Sequence, residues 1–151
     1  KTFYCSFIQA LLEYGSNAFV HCLHTTQHDR LTRIANRAVR IVFGFPWHYD
    51  VSVLHTRYGL APIALRYQLK LYILVFRAIR GMCSTLLSDC FCLRSAATHT
   101  AARTRSQSID SLALPKARNR YGLFALSFLA SDRWNSLPAD IRSCSSLSLF
   151  R

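Results

Sequence analysis

The stretch RLTRIANRAVRIVFG at residues 30–44 decides how the first half of this chain folds. Apolar residues recur in it at spacings of three and four, which is the period of an amphipathic α-helix. Asp29 is the predicted N-cap of this helix, and Gly44 with Pro46 ends it. The stretch therefore predicts one helix with a core-facing side and a polar side.

A row of arginines occupies the polar side of this predicted helix. At about 100° per residue, the row falls within an arc of about 80° and consists of Arg30, Arg33, Arg37 and Arg40. The predicted core face begins beside that arc and contains Leu31, Ile34, Ala35, Ala38, Ile41 and Val42. Like charges at this spacing repel one another, and only Asp29 is near enough in sequence to relieve them. The row is interpreted either as a solvated helix face or as a contact surface for a polyanion.

The overall composition favours the polyanion. The 151 residues carry a formal net charge of +12, from 16 Arg and 3 Lys against 7 acidic residues. The planar guanidinium matches two phosphate oxygens at once, whereas lysine offers a single point charge. RNA or DNA is therefore the first predicted partner, and an anionic membrane surface is the alternative. With the arginine row, we predict nucleic-acid contacts from a second basic set: Arg66, Lys70, Arg77 and Arg80.

The remaining pattern predicts a mainly α-helical fold, a small irregular helical bundle with a flexible linker and a C-terminal helical tail. Helices are predicted at 2–14, with Phe3, Phe7, Ala10, Leu11 and Tyr14 as its apolar residues, at 50–59, and from Pro62 to Arg80. Leucine, alanine and tryptophan spacing predicts another helix before Pro138. The longest apolar run, LYILVF at 71–76, is far shorter than the roughly 20 residues of a membrane span, so no transmembrane helix and no membrane partner is predicted.

Composition divides the chain into three predicted segments. A helical region at 1–81 is followed by a linker at 82–111 and a tail at 112–151. The linker is predicted because residues 94–110 are mostly Ser, Thr, Ala and Arg. Both ends of the chain look like cuts, so we expect a fragment of a longer protein.

No catalytic centre is predicted in this segment. Its carboxylates are isolated in sequence, and it has no phosphate-cradling glycine loop and no nucleophile elbow. We expect the six cysteines to be free thiols, and we expect no cofactor. Two groups of possible zinc ligands stay open although their spacing fits no zinc finger: Cys22, His24 and His28, and Cys83, Cys90, Cys92 and His99.

Three phrases of the sequence resemble one protein family. They are LTRIANRAVRIVFG at 31–44, YGLAPIALRYQLKLYILVFRAIRG at 58–81, and RWNSLPADIRSCSSLSLF at 133–150. In this order they are similar to the C-terminal region of reverse transcriptases from non-LTR, LINE-type retrotransposons of the jockey-like kind. The last phrase is the most specific, because six residues match together: Trp134, Asn135, Leu137, Pro138, Ile141 and Arg142. The first phrase departs from the family, which often has Gln at Ala35 and Leu at Val39.

The resemblance implies a parent RNA-directed DNA polymerase whose palm domain lies upstream of Lys1. No catalytic residue is carried over, and basic helices that hold RNA or DNA are expected here. The implied partners are nucleic acid and the upstream polymerase domain, in an intracellular ribonucleoprotein of nucleus and cytoplasm. Trp134 and Leu137 are expected to pack the last helix. The alternative is a protein interaction module that docks on the polymerase or self-associates, with arginines that only solubilise it.

Overall fold

The computed structural model describes residues 1–94 and 111–150, and they are mainly α-helical, as predicted. Within these two ranges no extended strand forms, and Leu93 and Leu112 make one isolated antiparallel bridge. Of the predicted linker at 82–111, residues 95–110 lie outside the described residues. All six cysteines are free thiols.

The chain divides into two compact units, and the first covers Lys1–Gln68. It begins with a π-helical segment, Tyr4–Gln9, that continues directly as α1. The following helical elements are α1 (Ala10–Glu13), α2 (Ser16–Phe19), a 3₁₀ turn at Val20–Cys22, α3 (Thr25–Phe43), α4 (Val51–Tyr58) and α5 (Ile63–Ile79), which runs on into the second unit.

The predicted start of α3 is wrong by five residues. The helix begins at Thr25, and its N-cap is His24 instead of Asp29. The His24 ring nitrogen Nδ1 accepts from the Thr26 N–H at 3.4 Å, and the Gln27 side chain accepts from the His24 N–H at 3.0 Å. This pair makes a capping box with an imidazole in place of the usual hydroxyl, so a search for Ser, Thr, Asp or Asn does not find it.

The ends predicted at Gly44 and Gly59 and the Asp50 cap are confirmed. Gly44 ends α3 in the left-handed conformation, with φ of +73°. Asp50 caps α4, whose last residue precedes Gly59. Only glycine adopts positive φ without a steric penalty, so a glycine after an amphipathic run predicts a helix end reliably.

Two buried clusters hold the first unit together. One joins the π-helical segment to α3 and α4 and contains Tyr4, Val39, Leu54 and Leu60. The other joins α3 to the start of α5 and contains Val20, Ala35, Ile63 and Tyr67. Because α3 contributes to both clusters, one side of it is fixed against the core.

The helical segment predicted at 2–14 is confirmed, but the apolar stripe that predicted it is not the side that packs inward. Its large side chains are exposed, among them Phe3, Phe7, Leu11 and Tyr14. The side that packs inward instead presents Tyr4, Ile8 and Leu12. Both stripes repeat every four residues, so periodicity alone does not decide which one is buried.

The second unit covers Leu69–Arg151. Besides the rest of α5, its described residues form α6 (Thr85–Ser88), α7 (Arg120–Leu123), α8 (Leu126–Asn135), α9 (Ala139–Arg142) and α10 (Leu147–Phe150). Its core contains Leu71, Val75, Phe76, Phe91, Leu112, Ala130, Trp134 and Phe150. The division at 1–81, 82–111 and 112–151 stays a prediction, because most of its middle segment is outside the described residues.

Taken singly, none of the described helices is both long enough and apolar enough to cross a bilayer. Only α4 and α5 together reach such a length, and the pair is bent by 48°.

Candidate nucleic-acid interface

The arginine row lies on the side of α3 that faces away from the core. Arg30, Arg33 and Arg37 are exposed, whereas Ala35 and Val39 on the opposite side are buried. Within residues 1–94 and 111–150, no carboxylate pairs with these three arginines. Three fixed positive charges therefore face solvent along about two turns of one helix.

Arg40, the last member of the row, is half-buried and serves a structural contact as well. Its Nε donates to the backbone carbonyl of Tyr49 at 2.9 Å. This bond ties α3 to the loop that leads into α4. A guanidinium has five N–H donors, so four of them remain for other contacts.

Two residues predicted for the core of α3 are exposed instead. Ile34 is 55% exposed and Ile41 is 68% exposed. On the helix wheel they lie about 20° to 40° from Arg30, on the flank of the row. The buried arc is centred on Ala35 and Val39, so the apolar residues of α3 span a wider arc than the core covers. The solvent face of α3 is therefore cationic with two apolar side chains beside the charges.

Arg66, in the second predicted basic set, is engaged inside the first unit. Its Nε donates to a carboxylate oxygen of Glu13, which is buried. The positive charge of Arg66 is thus already matched by a carboxylate. Its contact with nucleic acid stays a prediction, and its pairing with Glu13 is a structural role.

The rest of that set lies in the second unit. Arg77 is exposed, and Lys70 is half-buried. Arg80 donates from Nη2 to the Cys144 carbonyl at 2.9 Å, and its guanidinium lies 5.5 Å from the ring centroid of Phe76. Arg77 and Arg80 are therefore both exposed to solvent, and Arg80 is already engaged by these contacts.

An open groove of about 610 Å³ runs along the flank of α3 beside the arginine row. Thr32, Asn36 and Arg40, which are spaced by four residues, form its α3 wall. The opposite wall comes from the start of α4 and the residues that follow this helix: Asp50, Val51, Ser52, His55, Thr56, Leu60 and Pro62. The sequence did not predict this groove, although the polar spacing at 32, 36 and 40 is the signal that indicates a polar flank on α3.

Asp50 carries the negative charge of the groove. The Ser52 hydroxyl and the Ser52 N–H both donate to its carboxylate, at 2.7 and 2.9 Å. These hydrogen bonds hold the pKa of Asp50 below its ordinary value, and Arg40 lowers it further. The groove therefore has a positive wall on α3 and an ionised carboxylate on the opposite wall at neutral pH.

Trp47 is the most exposed aromatic residue of the loop between α3 and α4. Its side chain is 84% exposed, and its one described ring neighbour is His48, edge-on at 5.7 Å. An indole face left open to water is suited to stacking on an unpaired base. The other tryptophan, Trp134, is only 1% exposed.

The tail motif is assembled as part of the core of the second unit. Trp134 stacks on Phe150 at a centroid distance of 5.7 Å, in agreement with the expected packing role. Asn135 brackets the backbone of Leu112: its Oδ1 accepts from the N–H at 2.8 Å, and its Nδ2 donates to the carbonyl at 2.9 Å.

The rest of the motif surrounds the short helix α9. Pro138 is its N-cap, and Leu137 packs against the core cluster of the second unit. Arg142 is buried, whereas Ile141 is 40% exposed. The motif is therefore explained mainly by packing and backbone pairing.

Metal-ligating side chains do not converge in the part of the chain that the structure describes. No group of three or more His, Cys, Asp or Glu side chains lies close enough there to hold an ion. His99, one of the candidate ligands, is outside that part.

Comparison with known proteins leaves the family of this chain open. No protein-family model matches the sequence. No curated protein and no solved structure matches it either.

Proposed function

We propose that this chain is a non-catalytic, nucleic-acid-binding region from the C-terminal part of a non-LTR retrotransposon reverse transcriptase. The observation that carries the binding proposal is the exposure of Arg30, Arg33 and Arg37 on one face of α3, without a carboxylate partner among the described residues. A phosphate backbone supplies regularly spaced negative charge, which relieves the repulsion within the row. Binding is electrostatic and largely independent of sequence.

The salt dependence of binding tests this proposal directly. Each phosphate contact to duplex DNA contributes about 0.9 to the slope of log K against log salt. Substituting Arg30, Arg33 and Arg37 together by Gln should therefore reduce the slope by up to about 2.7 and weaken binding at low salt.

A matched control removes three charges elsewhere. Arg57, Arg118 and Arg133 are also exposed, so their triple Gln variant has the same net charge as the test variant. We expect the control to retain most of the slope. Equal slopes for the two variants would make the effect one of net charge and would remove the row from the site.

The family assignment depends on the motif resemblance and has its own test. The gene upstream of Lys1 should encode a polymerase palm with a Tyr-x-Asp-Asp motif in the same reading frame. Such a parent would place the chain beside a polymerase domain in an intracellular ribonucleoprotein. A non-polymerase frame there would refute the family and leave the binding proposal standing.

A second candidate function is protein interaction, and the first helical segment favours it. Phe3, Phe7 and Leu11 are exposed at four-residue spacing, and the two phenylalanine rings are 5.2 Å apart. Exposed apolar patches of this kind commonly mark protein contacts. If this face mediates self-association or docking on the polymerase, Phe3→Ser with Phe7→Ser should abolish dimerisation or docking in sedimentation experiments and leave nucleic-acid affinity unchanged.

A further inference from the structure

The groove beside α3 has one wall in common with the proposed nucleic-acid interface. Arg40 belongs both to the arginine row and to the groove wall. Arg33 and Arg37 directly follow Thr32 and Asn36 in sequence. Each arginine therefore lies about 100° around the helix axis from the wall residue that precedes it. A phosphate backbone that lies on the row therefore passes along the rim of the groove.

The charges of the groove orient a nucleotide within it. Phosphate is attracted to the α3 wall by Arg40 and is repelled from the opposite wall by the ionised Asp50. The uncharged part of the nucleotide, its sugar and base, is then directed toward α4. A base amino group is a suitable donor to a carboxylate at that wall.

Besides the charged Arg40 and Asp50, the hydrogen bonds within the groove leave two uncharged side chains available to a ligand. The hydroxyl hydrogens of Thr32 and Thr56 are already donated to backbone carbonyls of their own helices. His55 uses its Nδ1 on the Leu60 carbonyl at 3.1 Å, so this nitrogen carries the hydrogen and Nε2 of the neutral ring is an acceptor.

The Asn36 amide is the other available group. It has no hydrogen-bond partner in the described part of the chain, and it is half-buried in the α3 wall. An amide offers both donors and an acceptor, as the edge of a base does. Asn36 and His55 are therefore a complementary pair for a base edge or a sugar hydroxyl.

The size and floor of the groove also suit a nucleoside. Its volume of about 610 Å³ falls inside the range typical of small-molecule sites. Val51 and Leu60 are buried and form apolar parts of its lining, as ligand sites require beneath a few directed polar groups.

We propose that this groove receives the sugar and base of an unpaired nucleotide whose phosphates lie on the arginine row. This inference rests on the proposed function and makes it more specific: single-stranded nucleic acid binds more tightly than duplex. In a duplex the bases are stacked and paired, so they do not enter a groove on a protein surface.

The test compares labelled oligouridylate, oligodeoxyuridylate and a duplex of equal length by fluorescence anisotropy. Thr56→Phe fills the groove from an exposed position, and Thr56→Ser is the matched control that keeps the hydroxyl and the space. Asn36→Ala removes the free amide. We expect Thr56→Phe and Asn36→Ala to weaken single-strand binding about fivefold or more, with duplex affinity and the salt slope unchanged.

The outcomes separate this inference from the proposed function. A loss confined to single strands supports the groove, and a larger loss for the RNA than for the DNA oligonucleotide assigns it to the ribose hydroxyl. Equal losses of affinity for single strand and duplex, or no loss for either, would overturn the groove inference. The proposed interface would still be tested separately by the Gln variants of the arginine row.

A ligand titration keeps the inference testable if a variant unfolds. Uridine monophosphate added to the unmodified chain should shift the NMR signals of the Asn36 amide and the His55 ring. If neither signal shifts, the groove is not a nucleotide site.

Discussion

Arg66 in α5 donates its Nε to the carboxylate of Glu13 in α1, across 53 positions of sequence, and the Glu13 side chain is only 5% exposed. Beside this pair the Tyr67 hydroxyl donates to the Leu12 carbonyl at 3.0 Å. Burial raises the pKa of Tyr67, and the Glu13 charge raises it further. Consecutive residues of α5 therefore hold the end of the first helical segment by two polar contacts.

Substituting either partner of this ion pair should destabilise the first unit, and the substitution of Arg66 should cost more than that of Glu13. Arg66→Gln removes the guanidinium that donates to the buried Glu13 carboxylate, a change that costs about 3–5 kcal/mol in fully buried pairs and less here because Arg66 is one-third exposed. Glu13→Gln leaves a cation that is one-third exposed and can be hydrated, so it should cost less. Urea denaturation measures both free energies of unfolding.

The double variant and a surface control complete this cycle. Glu13→Gln added to Arg66→Gln should recover stability, because no buried charge then remains. Arg33→Gln, which removes an exposed arginine, should change stability by no more than about 0.5 kcal/mol. If Arg66→Gln were as mild as Arg33→Gln, the pair would not hold the unit.

Asn135 is predicted to stabilise the second unit through the backbone of Leu112. Asn135→Ala leaves an N–H and a carbonyl of a fully buried residue unpaired, at about 1–3 kcal/mol for each buried group. Asn135→Asp should cost more, because a carboxylate cannot donate to the carbonyl and is repelled by it. In guanidinium denaturation, Asn119→Ala in an exposed turn is the control with a small effect.

The helix ends show how much of this fold could be predicted from sequence. Glycine stops and the Asp50 cap depend on local backbone chemistry, and their helix ends were predicted correctly. The start of α3 was missed because an imidazole replaces the usual cap, a substitution that residue statistics do not indicate. Local sequence rules therefore predict a helix end where the backbone requires one residue type, and they fail where several residue types can act as the cap.

Burial was harder to predict than helix position. For Phe7 and Ile34 the period was right, but the buried side of each helix is set by neighbours distant in sequence. The Glu13–Arg66 pair and the groove wall at Asn36 also depend on which helices meet. One sequence by itself shows the period of an apolar stripe but does not show which neighbouring helix covers that stripe.

Exposure of the α3 isoleucines leads to a stability prediction. Ile34→Ser and Ile41→Ser should each change the free energy of unfolding by no more than about 0.5 kcal/mol, because both side chains remain largely in water when the chain folds. Leu54→Ala, at a fully buried position, should cost about 2–5 kcal/mol. A large loss for either isoleucine in thermal or urea unfolding would place it in the core after all.

Asp50 should make the stability of α4 depend on acid pH. Its pKa is lower in the folded chain than in the unfolded one, so its contribution is present above the ordinary Asp value of about 3.9 and is lost as pH falls through the folded value. The difference in stability between the unmodified chain and Asp50→Ala should therefore shrink below about pH 4. Denaturant titrations at several pH values measure it, and a constant difference would show that ionisation of Asp50 does not matter.

Trp47 should report single-stranded nucleic acid through its fluorescence. The exposed indole emits at longer wavelength than the buried Trp134, so the two signals are separable, and stacking of a base on Trp47 should quench only the first. Trp47→Ala should weaken binding of single strands about tenfold, since a base stack contributes about 1–3 kcal/mol. Duplex, whose bases are not free to stack, should lose little. Quenching that persists in the Trp47→Phe variant would come from Trp134, and the loop would then have no part in binding.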